Sequence, residues 1–396
     1  MKCKEGRHRE PKGEANMDVD TKIKVPLARP TFSNDDINRY LKYVREILRG
    51  GRLTLGKYTN LFETLLSEFT GARHAITVSS CTAALHAIMM ALKISSSDQV
   101  LVPTYTFAST VNAVLFVNAK PILIDSDPYT FNVSVDDVNE KIERGKTKAL
   151  VAVHIGGNPC NLKDLRDICE DYNIILIEDA AHALGSYFHG KHVGTFGTAA
   201  AFSFYPNKII TTGEGGAVIT EDGKLAEKIR IIRCVGRKSL GPTEVIELGH
   251  NFRMSELQAA LGVIQMERLK KILNTRRKIA DYYTREFSKV KGIIPQKLLP
   301  LARSSYYAYI IRLDPDYIDI SRDELREVLL KKYGIETTII YKPIHLHTFY
   351  RRYLRVPIGS LPVAEELGNT TLALPIYGHM TLKEAAYVVY AIKESI

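Results

Sequence analysis

The stretch IILIEDAAH sets Glu178 and Asp179 at the end of an apolar run, with His182 three residues beyond Asp179. Ligands of an open parallel sheet gather at the carboxyl ends of its strands, so an acid there can hold a metal or a protonated heterocycle nitrogen. It can equally cap the helix that follows. In FSFYPNKIITTGEGG an apolar run ends at Ser203, and Lys208 lies in a loop that continues through Thr211, Thr212, Gly213, Glu214, Gly215 and Gly216. Glycines let the backbone turn tightly around that lysine. A solvated lysine, with a pKa of about 10.4, is a poor nucleophile. Desolvated beside a cofactor aldehyde, the same amine forms a Schiff base and then serves as a proton carrier.

VSSCTAALHAIMMAL reads as a strand, a turn of small residues and an amphipathic helix. The amides at such a helix start, with the hydroxyls of Ser80 and Thr82, suit a phosphate. The plainer reading is a Ser/Thr N-cap. VPTYTFAST brings Tyr105 and Phe107 to the same rim, where either could stack on a flat ring or belong to the core. A phosphate cradle, a ring stack, a carboxylate for a pyridine nitrogen and a Schiff-base lysine are together what pyridoxal phosphate chemistry requires.

These residues need a sheet to hold them. Continuous apolar runs at Ala75–Val78, Gln99–Val102, Pro121–Ile124, Ala149–His154, Ile174–Ile177, Ala200–Ser203 and Ala217–Thr220 alternate with helical stretches. Such runs lack polar alternation, so they imply an α/β fold with a mostly parallel seven-stranded sheet between helices. Before them come a helix from Asn34 to the stop at Gly50 and Gly51, and a second one carrying Leu61, Phe62, Leu65, Leu66 and Phe69. After them, a helical region over 255–287, the run Tyr306–Leu313, and helices at Arg322–Tyr333 and Lys383–Ile392 imply a smaller C-terminal α/β domain. The expected division is a disordered tail at 1–24, a large cofactor-binding domain at 25–265 and a small domain at 266–396.

Composition narrows the class. The 396 residues are 45% hydrophobic and 25% charged, which suits a folded globular chain. A net charge of +10 would permit a nucleic-acid partner, but the basic residues are dispersed beside acids. Neither a nucleic acid nor a membrane partner is expected. Cys3, Cys81, Cys160, Cys169 and Cys234 form no CxxC pair, so neither a metal site nor a disulfide framework is expected. No apolar run approaches the ~18 residues of a membrane span, and the first residues are polar. A cytoplasmic location is the expectation.

On these motifs the chain closely resembles the DegT/DnrJ/EryC1/StrS family of sugar aminotransferases, which are fold-type I pyridoxal phosphate enzymes. RPTFSNDDI, GRLTLGKYTNLFE, VHIGGNPCNL, GHNFRMSELQAALG, YKPIHLHTFY and LPVAEELGNTTLALPIY add to the stretches above, over residues 25 to about 393. The resemblance implies that Lys208 holds pyridoxal 5'-phosphate as an internal aldimine and that Asp179 pairs with the pyridine nitrogen. It places His182 beside the ring hydroxyl, Phe107 in the stack, and Ser203, Cys81 and Thr82 at the phosphate. It has Asn251 reach the phosphate of a neighbouring subunit, which implies a homodimer with shared sites. Tyr341, His345 and His347 would face the acceptor. The implied reaction moves an amino group from an amino acid, L-glutamate in most of the family, to a nucleotide-linked 3- or 4-keto sugar.

Three residues depart from the family pattern. Cys81 replaces a usual glycine, Gly156 a common tyrosine and Ile340 a common histidine. The last two bear on the acceptor pocket rather than on the chemistry. A dehydratase of the same fold would carry histidine in place of Lys208. A cysteine desulfurase would need a cysteine on a mobile catalytic loop. A regulatory or nucleic-acid-binding relative would have no need of Lys208, Asp179 and Ser203 together.

Overall fold

The computed structural model of the chain describes residues 23–238 and 244–396. The expected tail at 1–24 therefore lies outside the described residues except for its end, where the Lys24 amide already donates to the Gly334 carbonyl at 2.9 Å. The large sheet draws on β1 (His74–Val78), β2 (Gln99–Pro103), β3 (Lys120–Ile124), β4 (Thr147–Val153) and β5 (Ile175–Asp179). A small hairpin, β6 (Tyr187–Phe188) and β7 (Lys191–His192), precedes its last members, β8 (Ala199–Ser203) and β9 (Gly216–Thr220). The order across its seven strands is β1-β9-β8-β5-β4-β2-β3. All neighbours run parallel except β9, which opposes both β1 and β8.

The run-like strands arise because both faces of the sheet are buried. Along β4, Ala149, Val151 and Val153 enter one hydrophobic cluster while Leu150 and Ala152 enter the cluster on the opposite face. A period of two therefore persists in space although both phases are apolar in sequence. A second sheet, β10 (Ile293–Pro295), β12 (Tyr309–Leu313) and β13 (Thr371–Leu374), backs a third cluster with the helices Arg322–Tyr333 and Leu382–Lys393. The short β11 (Ala302–Arg303) pairs with β6. The expected strand over 306–313 starts three residues late, at Tyr309, and β10 and β13 carry too little pattern to be read from sequence.

The helix Glu256–Phe287 joins the clusters. Its Ala259, Ala260 and Val263 pack into the core of the large sheet, and its Ile279, Tyr283 and Phe287 into that of the small one. The expected boundary at 265/266 falls inside this continuous helix. Among the described residues, no helix is long and apolar enough to cross a membrane. Cys81, Cys160, Cys169 and Cys234 are free thiols.

One buried acid ties that helix to the start of another. Glu256, 2% exposed, accepts hydrogen bonds from the amides of Gly56, Tyr58 and Thr59 at 2.9, 2.8 and 2.9 Å. These amides open the helix Lys57–Thr70, whose N-cap, Gly56, has no side chain to satisfy them. Replacing Glu256 by Ala is expected to lower unfolding stability by about 3 kcal/mol, since several buried donors lose a charged acceptor together. Chemical denaturation of Glu256→Ala beside the parent chain checks this; a loss under about 1 kcal/mol would show that water replaces the carboxylate.

Candidate active site

The site assembles at one sheet edge. β5 delivers Asp179, β8 ends at Ser203, and β1 runs on to Ser80. Because β9 runs against its neighbours, its first residue, Gly216, reaches the same edge, paired with Val78 on one side and Ser203 on the other. A Cβ on Gly216 would lie 2.4 Å from the Ser80 carbonyl carbon, so glycine alone lets β9 come this close to the turn. Reversal of direction between β8 and β9 also creates the loop that carries Lys208. That loop is pinned by Phe204, whose amide donates to the Gly215 carbonyl at 2.9 Å and whose carbonyl accepts from the Thr212 amide at 3.0 Å.

A cavity of about 440 Å³ opens here. Cys81, Thr82, Phe107, Asp179, His182, Ser203, Lys208 and Tyr341, all expected in the site, line it. At one end the helix Cys81–Ala91 begins with Ser80 as N-cap, its Oγ accepting from the Ala83 amide at 3.1 Å. The Thr82 hydroxyl meets the Ser109 hydroxyl at 2.7 Å, in the first turn of the helix Ala108–Phe116. Two helix starts, these hydroxyls and the half-buried Ser203 make an anion-binding end.

At the other end is Asp179. Its Oδ2 accepts from the Thr110 hydroxyl at 2.8 Å and its Oδ1 from the Ala181 amide at 3.2 Å. Burial raises its pKa, against the pull of these donors and of Lys208. Glu178, on the opposite face of β5, is spent on structure. Its carboxylate accepts from the amides of Gly194, Phe196 and Gly197 at 2.7 to 2.8 Å and from His154 at 3.2 Å. Cys81 Sγ lies 4.0 Å from Asp179 Oδ1. Burial and that carboxylate push the thiol up, so it remains protonated.

His182 stacks on Tyr307 with ring centroids 4.0 Å apart and 16° between planes. Its Nε2 is 3.0 Å from the Tyr341 hydroxyl. Burial, then the charge of Lys208, holds this imidazole well below its usual range, so it is neutral. Burial also keeps the Tyr341 phenol protonated. A protonated phenol donating to Nε2 leaves the imidazole proton on Nδ1, which has no partner among the described residues. Lys208 Nζ sits 4.3 Å from the centroid of the same Tyr307 ring. Desolvation lowers its pKa to about 8, with Cys81 and Asp179 pulling the other way.

Other expectations meet a different placement. His345 is buried away from the cavity, held by the Thr104 hydroxyl at 2.8 Å and the Glu365 carboxylate at 3.0 Å, so it braces the chain beneath the site. His347 turns to the Lys342 carbonyl at 3.2 Å. Asn251 is exposed outside the cavity, bridged through its backbone to Cys234. Gly156 does not line the cavity; at φ +68 it packs beneath Ala308, where a Cβ would meet Gln296 Oε1 at 2.9 Å. Ile340 does line it. Sequence reasoning missed Tyr307, Thr110 and Asn207. Thr110 is the last residue of VPTYTFAST, whereas Tyr307 lies hidden in a run that reads as strand.

The parts fit pyridoxal phosphate. The anion-binding end suits its phosphate, Asp179 its ring nitrogen, and the orphaned His182 Nδ1–H an oxygen on the ring. A seven-stranded, mainly parallel sheet with this lysine and aspartate at one edge defines a fold-type I aminotransferase. Residues 34–393 match the DegT/DnrJ/EryC1/StrS aminotransferase family, and the chain belongs to it. Over 94% of its length it is 32% identical to the spore coat polysaccharide biosynthesis protein SpsC of Bacillus subtilis, covering 97% of that protein. Helicobacter pylori PseC, an aminotransferase involved in pseudoaminic acid biosynthesis, superposes with a TM-score of 0.86 at 29% identity, over 94% of this chain and 98% of that one. Streptococcus pneumoniae Spr1654, solved in PLP and PMP forms, superposes with a TM-score of 0.84 at 26% identity, the PLP form over 93% of this chain and 98% of that one.

An amine lowered to about 8 has a pH signature. Mixed with pyridoxal phosphate, the cofactor-free chain is expected to react at a rate that rises with pH and levels off above about 8, where the amine is already neutral. A solvated lysine would keep rising toward about 10.4. Absorbance traces of the mixing reaction across that range decide between the two.

Proposed function

We propose that this aminotransferase carries an amino group from an amino acid, L-glutamate first among them, to a keto sugar linked to a nucleoside diphosphate, for amino-sugar or surface-polysaccharide synthesis. The observation that carries this reading is the meeting of Lys208 and Asp179 in one cavity whose far end is built for a phosphate. SpsC and PseC, by their descriptions, serve polysaccharide and sugar biosynthesis, which supports a sugar acceptor.

When bound, pyridoxal phosphate supplies an electron sink for the pair left behind by a departing α-proton. The chain's residues do the rest. Lys208 would hold the cofactor covalently. Once free, its amine would take and return the proton at the donor's α-carbon. A pKa near 8 suits both roles, because acid and base forms coexist near neutrality. Asp179 holds a proton on the ring nitrogen, and Thr110 with the Ala181 amide keeps the carboxylate aimed. Ser203, Thr82 and the amides around Cys81 hold the phosphate. His182 donates from Nδ1 to the ring oxygen while Tyr341 fixes its tautomer. Phe107 covers the ring, and Tyr341 and Ile340 border the acceptor. Asn251, exposed and outside its own cavity, serves the phosphate of a second copy, which makes the working unit a homodimer. The cofactor-binding and small domains divide at 265/266, within the long helix, and the enzyme works in the cytoplasm.

Visible spectroscopy tests the reading. The cofactor-saturated parent chain is expected to be yellow and to bleach on addition of glutamate, whereas Lys208→Ala is expected to show no band and to lose at least ~10²-fold in turnover. A parent chain without a band, or with a band that ignores every amino donor, would falsify the assignment.

A further inference from the structure

An amino-acid donor brings a carboxylate, yet among the described residues no guanidinium lines the main cavity, and Lys208 is the only Lys or Arg that does. The arginines stand next door. A second cavity of about 20 Å³ shares Ala28, Asn207 and Lys208 with the first and is walled by Arg29, Arg268, Arg276 and Gln265. Arg268 is already paired with Asp36. Arg276, 3% exposed, has no carboxylate partner among the described residues. Its Nη1 donates to the carbonyls of Tyr306, Tyr307 and Ile376 at 2.9, 3.2 and 3.0 Å.

Three buried polar atoms around this small cavity have no partner among the described residues: Arg276 Nε, Gln265 Nε2 and Asn207 Oδ1. Gln265 is 2% exposed. Asn207 lies beside the Tyr307 phenol and, against the burial that raises it, pulls its pKa down, which sets the amide N–H toward that oxygen and leaves Oδ1 the atom without a partner among the described residues. Two donors, one of them on a buried cation answered by backbone carbonyls but by no carboxylate among the described residues, call for an anion, since such a charge is costly unless it is answered. One lone acceptor beside them calls for an N–H. An α-amino acid presents both groups on one carbon.

We infer that this small cavity is the subsite for the α-carboxylate of the amino donor, a reading that rests on the aminotransferase assignment above. Arg276 Nε and Gln265 Nε2 donate to one carboxylate oxygen, Arg29 steadies the other from the outer rim, and Asn207 Oδ1 accepts from the donor nitrogen beside Lys208. Room for about one water-sized group admits a single carboxylate oxygen and refuses a phosphate. The sugar acceptor, which carries no carboxylate at its reacting carbon, leaves the subsite to solvent and uses the main cavity alone.

Gln265→Met removes a donor at nearly constant volume, and Arg29→Gln acts on an exposed residue whose loss threatens no core. In cofactor-loaded enzyme, each is expected to weaken glutamate in the single-turnover half-reaction by about tenfold, the worth of one hydrogen bond to a charged group. Calorimetric titration of the same proteins with 2-oxoglutarate should show the same loss without turnover. Reaction with isopropylamine, which has no carboxylate, should be unchanged, as should the visible band. Should Gln265→Met fail to fold, Arg29→Gln carries the test. Glutamate and 2-oxoglutarate constants within twofold of the parent's would overturn the subsite, leaving the small cavity to water. A parent enzyme that ignores glutamate altogether would instead overturn the donor assignment on which the subsite rests.

Discussion

A carboxylate taken out of water at the end of a strand constrains everything around it. Asp179 is buried, and among the described residues a hydroxyl, one amide and, at 4.0 Å, the Cys81 thiol answer its charge. Desolvation favours its neutral form, so it holds a proton readily or shares one with a partner. The same burial lowers Lys208 and silences His182 as a cation. Low dielectric thus does three tasks at once. It keeps an amine nucleophilic, an imidazole neutral and a carboxylate ready for a heterocyclic N–H. Exposure of the site would return all three to ordinary behaviour, which is why the stacked Tyr307, the half-buried Tyr341 and the apolar wall of Ile339 and Ile340 matter as much as the charged groups.

Topology converts that requirement into geometry. Lys208 hangs between β8 and β9, and only an antiparallel β9 returns the chain to the edge where Asp179 and Ser80 wait. Gly216 is the hinge of the arrangement because its missing side chain lets β9 touch the turn that opens the Cys81–Ala91 helix. Phosphate end, lysine loop and acid are therefore fixed by strand pairing rather than by flexible loops. Rigid elements hold such constellations more closely than loops can.

Much of this was legible in the sequence, for a physical reason. Runs buried on both faces are continuous, so all seven strands of the large sheet announce themselves, and residues at their carboxyl ends are site candidates by position alone. Cys81, Thr82, Phe107, Asp179, His182, Ser203, Lys208 and Tyr341 indeed share one cavity. What escaped lies where position along the chain carries no signal. The short β10 and β13 are made by pairing with β12 on either side. His345 resembles a ligand in its motif but is satisfied by Thr104 and Glu365, a pairing across 241 and 20 residues that no local pattern reveals. Tyr307 looked like strand, yet it is the floor under both His182 and Lys208.

An enzyme that binds two unlike substrates in turn at one centre faces a conflict of polarity. The amino donor is anionic near its reacting carbon, whereas the sugar is neutral there and bulky. A guanidinium placed in the main cavity would serve the first and remain an unpaired, poorly solvated cation against the second. Among the described residues the main cavity instead has Lys208 as its only Lys or Arg, with apolar walls from Leu27, Ile339, Ile340, Leu374 and Ile376, while arginines gather in the side cavity behind the lysine. Arg276 illustrates how the charge is kept there. Three carbonyl oxygens hold one end of its guanidinium, so the cation is partly solvated by backbone dipoles, and its Nε has no partner among the described residues. Separation of the two polarities into adjoining spaces, with Lys208 forming the wall between them, lets one amine serve both half-reactions without either substrate passing over the other's binding groups.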